Sequence, residues 1–174
     1  MKKGTYLVMP GDATKPQRQS EDEIVVIPHV CNNLGGFNAG FVVALNNLSP
    51  EPQRVYKEYL SKFTDTKNSL GEVCLATIDD KTYVANMIAQ NCYISPKNPK
   101  PLKYWALAKC MKNVVPIAAG NIVSHSSQNR PPFSLHCPKF GSLRSGGNWN
   151  FIEELIEELW IDRGFNVTVY EYKE

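Results

Sequence analysis

Apolar residues recur along this chain with two alternating periods. Short apolar runs at residues 5–9, 23–28, 71–78, 82–90, 133–137 and 165–172 have the length and β-branched content of strands. Between them lie helical patterns. Phe41, Val42, Ala44, Leu45 and Leu48 form one, and Val55, Tyr56, Tyr59, Leu60 and Phe63 form a second over residues 50–63, with Pro52 in its first turn. Tyr104, Trp105, Leu107, Ala108, Met111 and Val115 form a third. In the last helix, Trp149, Ile152, Leu155, Ile156, Leu159 and Trp160 oppose Glu153, Glu154, Glu157 and Glu158; Asn148 or Asn150 can cap it and Gly164 closes it. Asp79-Asp80-Lys81 joins two strands as an antiparallel hairpin, and residues 120–132 read as a long polar loop. Strands alternating with helices predict an α/β sandwich whose central sheet is mixed because of that hairpin.

Two glycine-bearing turns stand where a strand gives way to a helix. The first runs from His29 through Cys31-Asn32-Asn33-Leu34-Gly35-Gly36-Phe37-Asn38-Ala39-Gly40 to Phe41, and the second from Phe140-Gly141-Ser142-Leu143-Arg144-Ser145-Gly146-Gly147-Asn148 to Trp149. At such a junction exposed backbone N–H groups and the helix dipole hold an anion, and ligands of α/β sheets bind at the carboxyl ends of strands. The alternative is that the glycines only permit tight turns. Neither turn has the G-x-x-x-x-G-K-[ST] spacing of a P-loop, and the first lacks G-x-G-x-x-G, which disfavours ordinary ATP hydrolysis and Rossmann dinucleotide binding.

Composition narrows this further. At 174 residues, 43% hydrophobic, the chain suits one globular domain spanning residues 1–174. A net charge of +2, with 19 basic residues spread among 17 acidic ones, gives no nucleic-acid surface. Cys31, Cys74, Cys92, Cys110 and Cys137 are odd in number, widely separated and mostly set in apolar runs, so they read as reduced core residues of a cytoplasmic protein. His29, His125 and His136 lack ligand spacing, so no metal site is expected. The first apolar run is too short for a signal peptide and no uninterrupted apolar segment could span a bilayer, so no membrane partner is expected.

Taken together, these stretches resemble the macrodomains that bind ADP-ribose, over nearly the whole chain. Tyr6-Leu7-Val8-Met9-Pro10-Gly11-Asp12-Ala13 is similar to the opening strand and Gly-Asp turn of that family, and Ile27-Pro28-His29-Val30-Cys31-Asn32 to its second strand. Gly35 to Val42 is similar to the first phosphate loop, Asn86-Met87-Ile88-Ala89-Gln90 to a strand end, and Pro138 through Trp149 to the second loop. The nearest likeness is to the branch of ADP-ribose-1″-phosphate phosphatases and terminal ADP-ribose glycohydrolases.

The resemblance implies a monomeric three-layer α/β/α sandwich without cofactor. It implies that Asp12, beside Ala13, accepts a hydrogen bond from the adenine amino group; the residue on its own is equally an Asx turn. Asn32, Asn38 and Gln90 would orient the distal ribose, while Gly36, Ala39, Gly40 and Phe41 would offer backbone to the diphosphate. Ser142, Leu143, Arg144, Ser145, Gly146 and Gly147 would close over it, with Arg144 pairing to phosphate or pointing into solvent. Phe37 would pack on the distal ribose or anchor the loop, and His29 would activate water or be a buried histidine. Where the glycohydrolases carry a nucleophilic lysine and an assisting aspartate, this chain has Gln90 or Asn91 and Ser145, which disfavours that chemistry. Leu143 and Asn148 also depart from the family's glycine and aspartate. Three functions stay open: hydrolysis of a 1″ substituent, above all phosphate; non-catalytic capture of ADP-ribose, an ADP-ribosylated macromolecule or another NAD-derived signal; and de-ADP-ribosylation without the lysine.

Overall fold

The computed structural model describes residues 2–122 and 133–173. Six strands form one sheet: β1 (Tyr6–Pro10), β2 (Val25–Asn32), β3 (Val73–Asp79), β4 (Thr82–Gln90), β5 (Ser134–Pro138) and β6 (Val167–Glu171), in the spatial order β1-β6-β5-β2-β4-β3. All neighbours are parallel except β3 and β4, the hairpin predicted from Asp79-Asp80-Lys81, so the sheet is mixed. Helices α1 (Phe41–Leu48), α2 (Glu51–Leu60), α3 (Tyr104–Asn121) and α4 (Trp149–Ile156) complete three layers. Every residue of β4 from Thr82 to Ala89 is buried, as a strand covered on both faces must be. On one face α2 offers the Pro52 carbonyl to the Asn86 side chain at 3.1 Å; α3 is tied to the turn that continues α4 by the Trp160 indole N–H, which donates to the Met111 carbonyl at 2.9 Å. By contrast β1 is an edge strand, with Tyr6, Leu7 and Val8 all exposed.

Three boundaries differ from the sequence reading. β2 runs on to Asn32 instead of ending at Pro28, so His29 lies inside the strand. α3 passes through Pro116 to Asn121, taking in two residues assigned to the polar loop; burial of Val114 and Ala118 offsets the hydrogen bond that proline removes. The rest of that loop, from residue 123 and including His125, lies outside the described residues. The last helix widens into a π turn over Glu157–Ile161, which buries Leu159, Trp160 and Ile161 consecutively where an α-helix would turn one of them outward. All five cysteines are free; Cys31, Cys74, Cys110 and Cys137 are buried, whereas Cys92, read as a core residue, is exposed because it lies in the segment after β4. No helix among the described residues is long and apolar enough to cross a membrane.

Candidate functional site

The sheet splits where the glycine turns leave it. β2 and β5 pair only at Val25 with Ser134 and Val26 with Leu135. Beyond that point β2 stays with β4 as far as Asn32 and Gln90, while β5 stays with β6 as far as Pro138 and Tyr170. One turn departs from each side of the split, which is the carboxyl-end crevice where ligands of parallel sheets bind.

Asn32 organises the first turn. Its Oδ1 accepts the N–H groups of Leu34 (2.9 Å) and Gly36 (3.2 Å) and lies 3.0 Å from the Tyr56 hydroxyl, while its Nδ2 donates to the Gly36 carbonyl at 3.0 Å. The Tyr56 hydroxyl also accepts the Gly35 N–H and reaches the Asn32 carbonyl. Phe37 is 2% exposed and packs on His29 and Tyr56, with ring centroids 5.7 and 5.5 Å away, so of its two readings the structure adopts the loop anchor. Asn38, Ala39 and Gly40 face outward. Gly40, at φ +80°, precedes α1 without any side-chain cap; its carbonyl accepts the Val43 N–H at 3.1 Å, and the N–H groups of Phe41 and Val42 stay open for an acceptor from outside the helix.

The second turn is closed on itself. Asn148 Oδ1 accepts the Asn150 N–H at 2.9 Å and thereby caps α4, as predicted. Ser142 Oγ donates to the Lys139 carbonyl, and buried Ser145 donates to Gln90 Oε1 at 2.8 Å, locking the turn to the end of β4. Gly146, at φ +71°, lies so close to the preceding segment that a Cβ there would strike the Pro99 carbonyl oxygen. Gly146→Ala is therefore expected to lower stability by about 2 kcal/mol through left-handed strain and overpacking. An unchanged thermal midpoint would show that residues 99–100 yield instead. Leu143 is also left-handed, at φ +40°, and is 90% exposed at the turn's tip.

The two turns meet through Arg144. A Cβ built on Gly40 would lie 3.3 Å from Arg144 Cδ and 3.5 Å from its Nε, so the arginine rests against the open start of α1. A cation and unsatisfied N–H groups converge there, which is the chemistry of a diphosphate site. At the far end Asp12 accepts the N–H and hydroxyl of Thr14 on one oxygen, Oδ1, at 2.9 and 2.8 Å; it forms an Asx turn and still has a second carboxylate oxygen. Ala13 is buried beneath it.

His29 is not at the cleft surface. It is 2% exposed under Phe37 and Phe41, and its Nε2 lies 2.6 Å from Asn86 Oδ1. Because Asn86 gives its Nδ2 to the Pro52 carbonyl, its oxygen faces the ring, and Nε2 carries the hydrogen. Burial pushes the imidazole down to about 4, against a smaller opposing effect of the Asn86 bond. The water-activating role expected of His29 thus meets a ring engaged inside the core. Sequence reasoning also missed the roles of Tyr93, which lies over Gly36, and of Tyr56 and Asn33, which secure the first turn; the helical period marks Tyr56 only as a packing residue, Asn33 is only one position of the turn, and nothing marks Tyr93.

No family model and no curated protein matches the chain, but solved structures do. A Bacteroides thetaiotaomicron protein of unknown function is 32% identical with a TM-score of 0.81, over 96% of this chain and 98% of its own. A macrodomain protein from Streptomyces coelicolor is 31% identical with a TM-score of 0.75, over 97% of this chain and 99% of its own. The chain belongs to the macrodomain family. The Thermosipho africanus DarTG structure in complex with ADP-ribose, 13% identical with a TM-score of 0.60 over 85% of this chain and 38% of its own, shares the fold. In this macrodomain the two glycine turns and Arg144 flank the split in the sheet and Asp12 follows the edge strand β1, whereas Asn32, Phe37, Ser145 and Gln90 hold the turns in shape and His29 lies beneath them. Gln90, expected to orient a ribose, has its Oε1 taken by Ser145 and its Nε2 by the Cys92 carbonyl.

Proposed function

We propose that this macrodomain binds ADP-ribose, or a derivative substituted at the 1″ position, with its diphosphate between the two glycine turns, and that its hydrolytic substrate is ADP-ribose-1″-phosphate. The observation that carries the binding reading is the approach of Arg144 to Gly40, which sets a guanidinium beside the uncapped start of α1. The adenine lies toward β1, where the free oxygen of Asp12 accepts its amino group, and the distal ribose lies toward β2 and β4. The ADP-ribose held by the Thermosipho africanus DarTG supports the ligand class. Hydrolysis of a 1″-phosphate would rest on backbone N–H groups and Arg144 stabilising charge, with water placed by the first turn.

A second reading, capture of ADP-ribose without turnover, is favoured by one observation: His29 is buried, with its Nε2–H given to Asn86. Calorimetry with ADP-ribose and phosphate release from ADP-ribose-1″-phosphate separate the two. Binding with turnover supports the phosphatase, binding without turnover supports the capture module, and absence of binding removes the ligand assignment. Asp12→Ala is expected to weaken ADP-ribose binding by about 1–2 kcal/mol, since one hydrogen bond to a charged group is lost. An unchanged affinity would take Asp12 out of the site.

A further inference from the structure

With Phe37 buried, the aromatic surface at the open side of the first turn comes from a different part of the chain. Tyr93 follows β4 and is 50% exposed. A Cβ on Gly36 would lie 2.8 Å from both its Cε1 and its hydroxyl, so the phenol lies on the glycine backbone itself. The segment that carries it is fixed from several directions. Cys92 is left-handed at φ +63°, and its N–H donates to Oδ1 of buried Asn33 at 2.8 Å. Asn33 Nδ2 donates to Asn91 Oδ1, Gln90 Nε2 donates to the Cys92 carbonyl, and Asn98 Nδ2 donates to the carbonyls of Asn91 and Tyr93, each within 3.1 Å. A non-glycine residue is held in a sparsely populated conformation only when its surroundings over-determine it, and here that conformation aims the next side chain at the first turn. Among the described residues, the Tyr93 hydroxyl has no hydrogen-bond partner, although the Cys92 N–H and the carbonyls of Asn91, Cys92 and Tyr93 are all engaged.

The order of the strands says which part of a ligand this phenol meets. Asp12 follows β1 and Tyr93 follows β4, and β6, β5 and β2 lie between the two strands. That separation is four inter-strand spacings, about 19 Å. Gly40 and Arg144 mark the middle, at the split between β5 and β2. A nucleotide diphosphate whose base is at Asp12 and whose phosphates are at Gly40 therefore brings whatever is attached beyond the phosphates to Gly36 and Tyr93.

We propose that Tyr93 is the specificity residue for the distal ribose: its ring packs on the sugar and its free hydroxyl hydrogen-bonds a sugar oxygen, so the site distinguishes ADP-ribose from ADP. This rests on the binding function proposed above. Apolar contact with a sugar face and a directional hydroxyl are what a phenol supplies at low conformational cost. A preorganised Tyr93 has little ordering entropy left to lose on binding, so its loss falls on affinity.

Calorimetry of the full chain with ADP-ribose and with ADP tests this, using Tyr93→Ala and Tyr93→Phe. Tyr93→Ala is expected to lower ADP-ribose affinity about tenfold while leaving ADP within a factor of two, and Tyr93→Phe to recover part of the loss. An equal loss for both ligands, or unchanged ADP-ribose affinity, would overturn the assignment while the binding function stands. Failure of the wild-type chain to bind ADP-ribose would overturn the binding function and the Tyr93 assignment with it. Unchanged thermal midpoints of the variants show that the affinities report on folded protein.

Discussion

Asn32→Ala is expected to remove both the shape of the first turn and its affinity for ligand. One side chain accepts from two backbone N–H groups and donates to a carbonyl within a single turn, and it also meets the Tyr56 hydroxyl. Alanine leaves those groups in a partly buried place without their partners, at about 3 kcal/mol of stability. Where the unpaired groups are instead hydrated by opening the turn, the same energy appears as lost preorganisation, close to a hundredfold in ADP-ribose affinity. Asn32→Asp tests the division of labour: it keeps the acceptor for Leu34 and Gly36 but has no hydrogen for the Gly36 carbonyl, so its loss should be intermediate. A variant with unchanged melting and unchanged affinity would mean that the glycine backbone holds its path unaided.

Acid should weaken this fold through His29. The folded imidazole titrates at about 4, well below its ordinary value of 6.5. A base whose folded pKa is lowered binds fewer protons folded than unfolded between those two values. Its contribution is therefore complete above pH 6.5, declines as the pH falls, and is gone below about 4. The span corresponds to roughly 3 kcal/mol. Buried His136, beside Glu23 and Tyr170, is also shifted downward by desolvation and adds in the same direction. His29→Gln, which can still donate to Asn86, isolates the first contribution: urea unfolding at pH 7.5 and 4.5 should show a smaller drop for the variant than for the wild type. Equal drops would assign the acid sensitivity elsewhere. The same low pKa leaves the imidazole neutral at physiological pH, and its burial keeps substrate away from it.

Most of the framework was legible because its signals are local. The Asp79-Asp80-Lys81 connection, the apolar stripe of α1 and the Asn148 cap each lie within a few residues of what they determine. The extent of β2 was not legible from the local pattern, although the family resemblance carried that strand on to Asn32. Pro28 cannot donate to a ladder, and the strand reading ended there. In the fold, β5 leaves β2 after Val26, so from Ile27 onward β2 has β4 alone as a partner and tolerates proline as an edge strand does. That departure opens the cleft, and it depends on strands more than a hundred residues apart.

The site divided along the same line. Glycines at the two turns announced themselves by their position before helices, and Asp12 by its place after Gly11. Whether a side chain faces the ligand or holds the turn is decided by long-range partners. Phe37 is covered by Tyr56, Ser145 is taken by Gln90, and Tyr93 returns over Gly36 from beyond β4; none of these pairs shares a local pattern.

The pairing of β1 with β6 ties the cleft to the order in which the chain is made. Among the described residues, Tyr6 to Pro10 find their strand partner in Val167 to Glu171, and the N–H of Gly11, just before Asp12, donates to the Glu171 carbonyl at 3.0 Å. β1 must wait for β6, far along the chain, before it has a ladder to join. A growing chain can close the central β2–β4 pair well before β6 is made, but the turn that carries Asp12 lacks its ladder until residue 171 has emerged. A nascent or C-terminally clipped chain would thus possess the phosphate-facing half of the cleft without the half that faces the base.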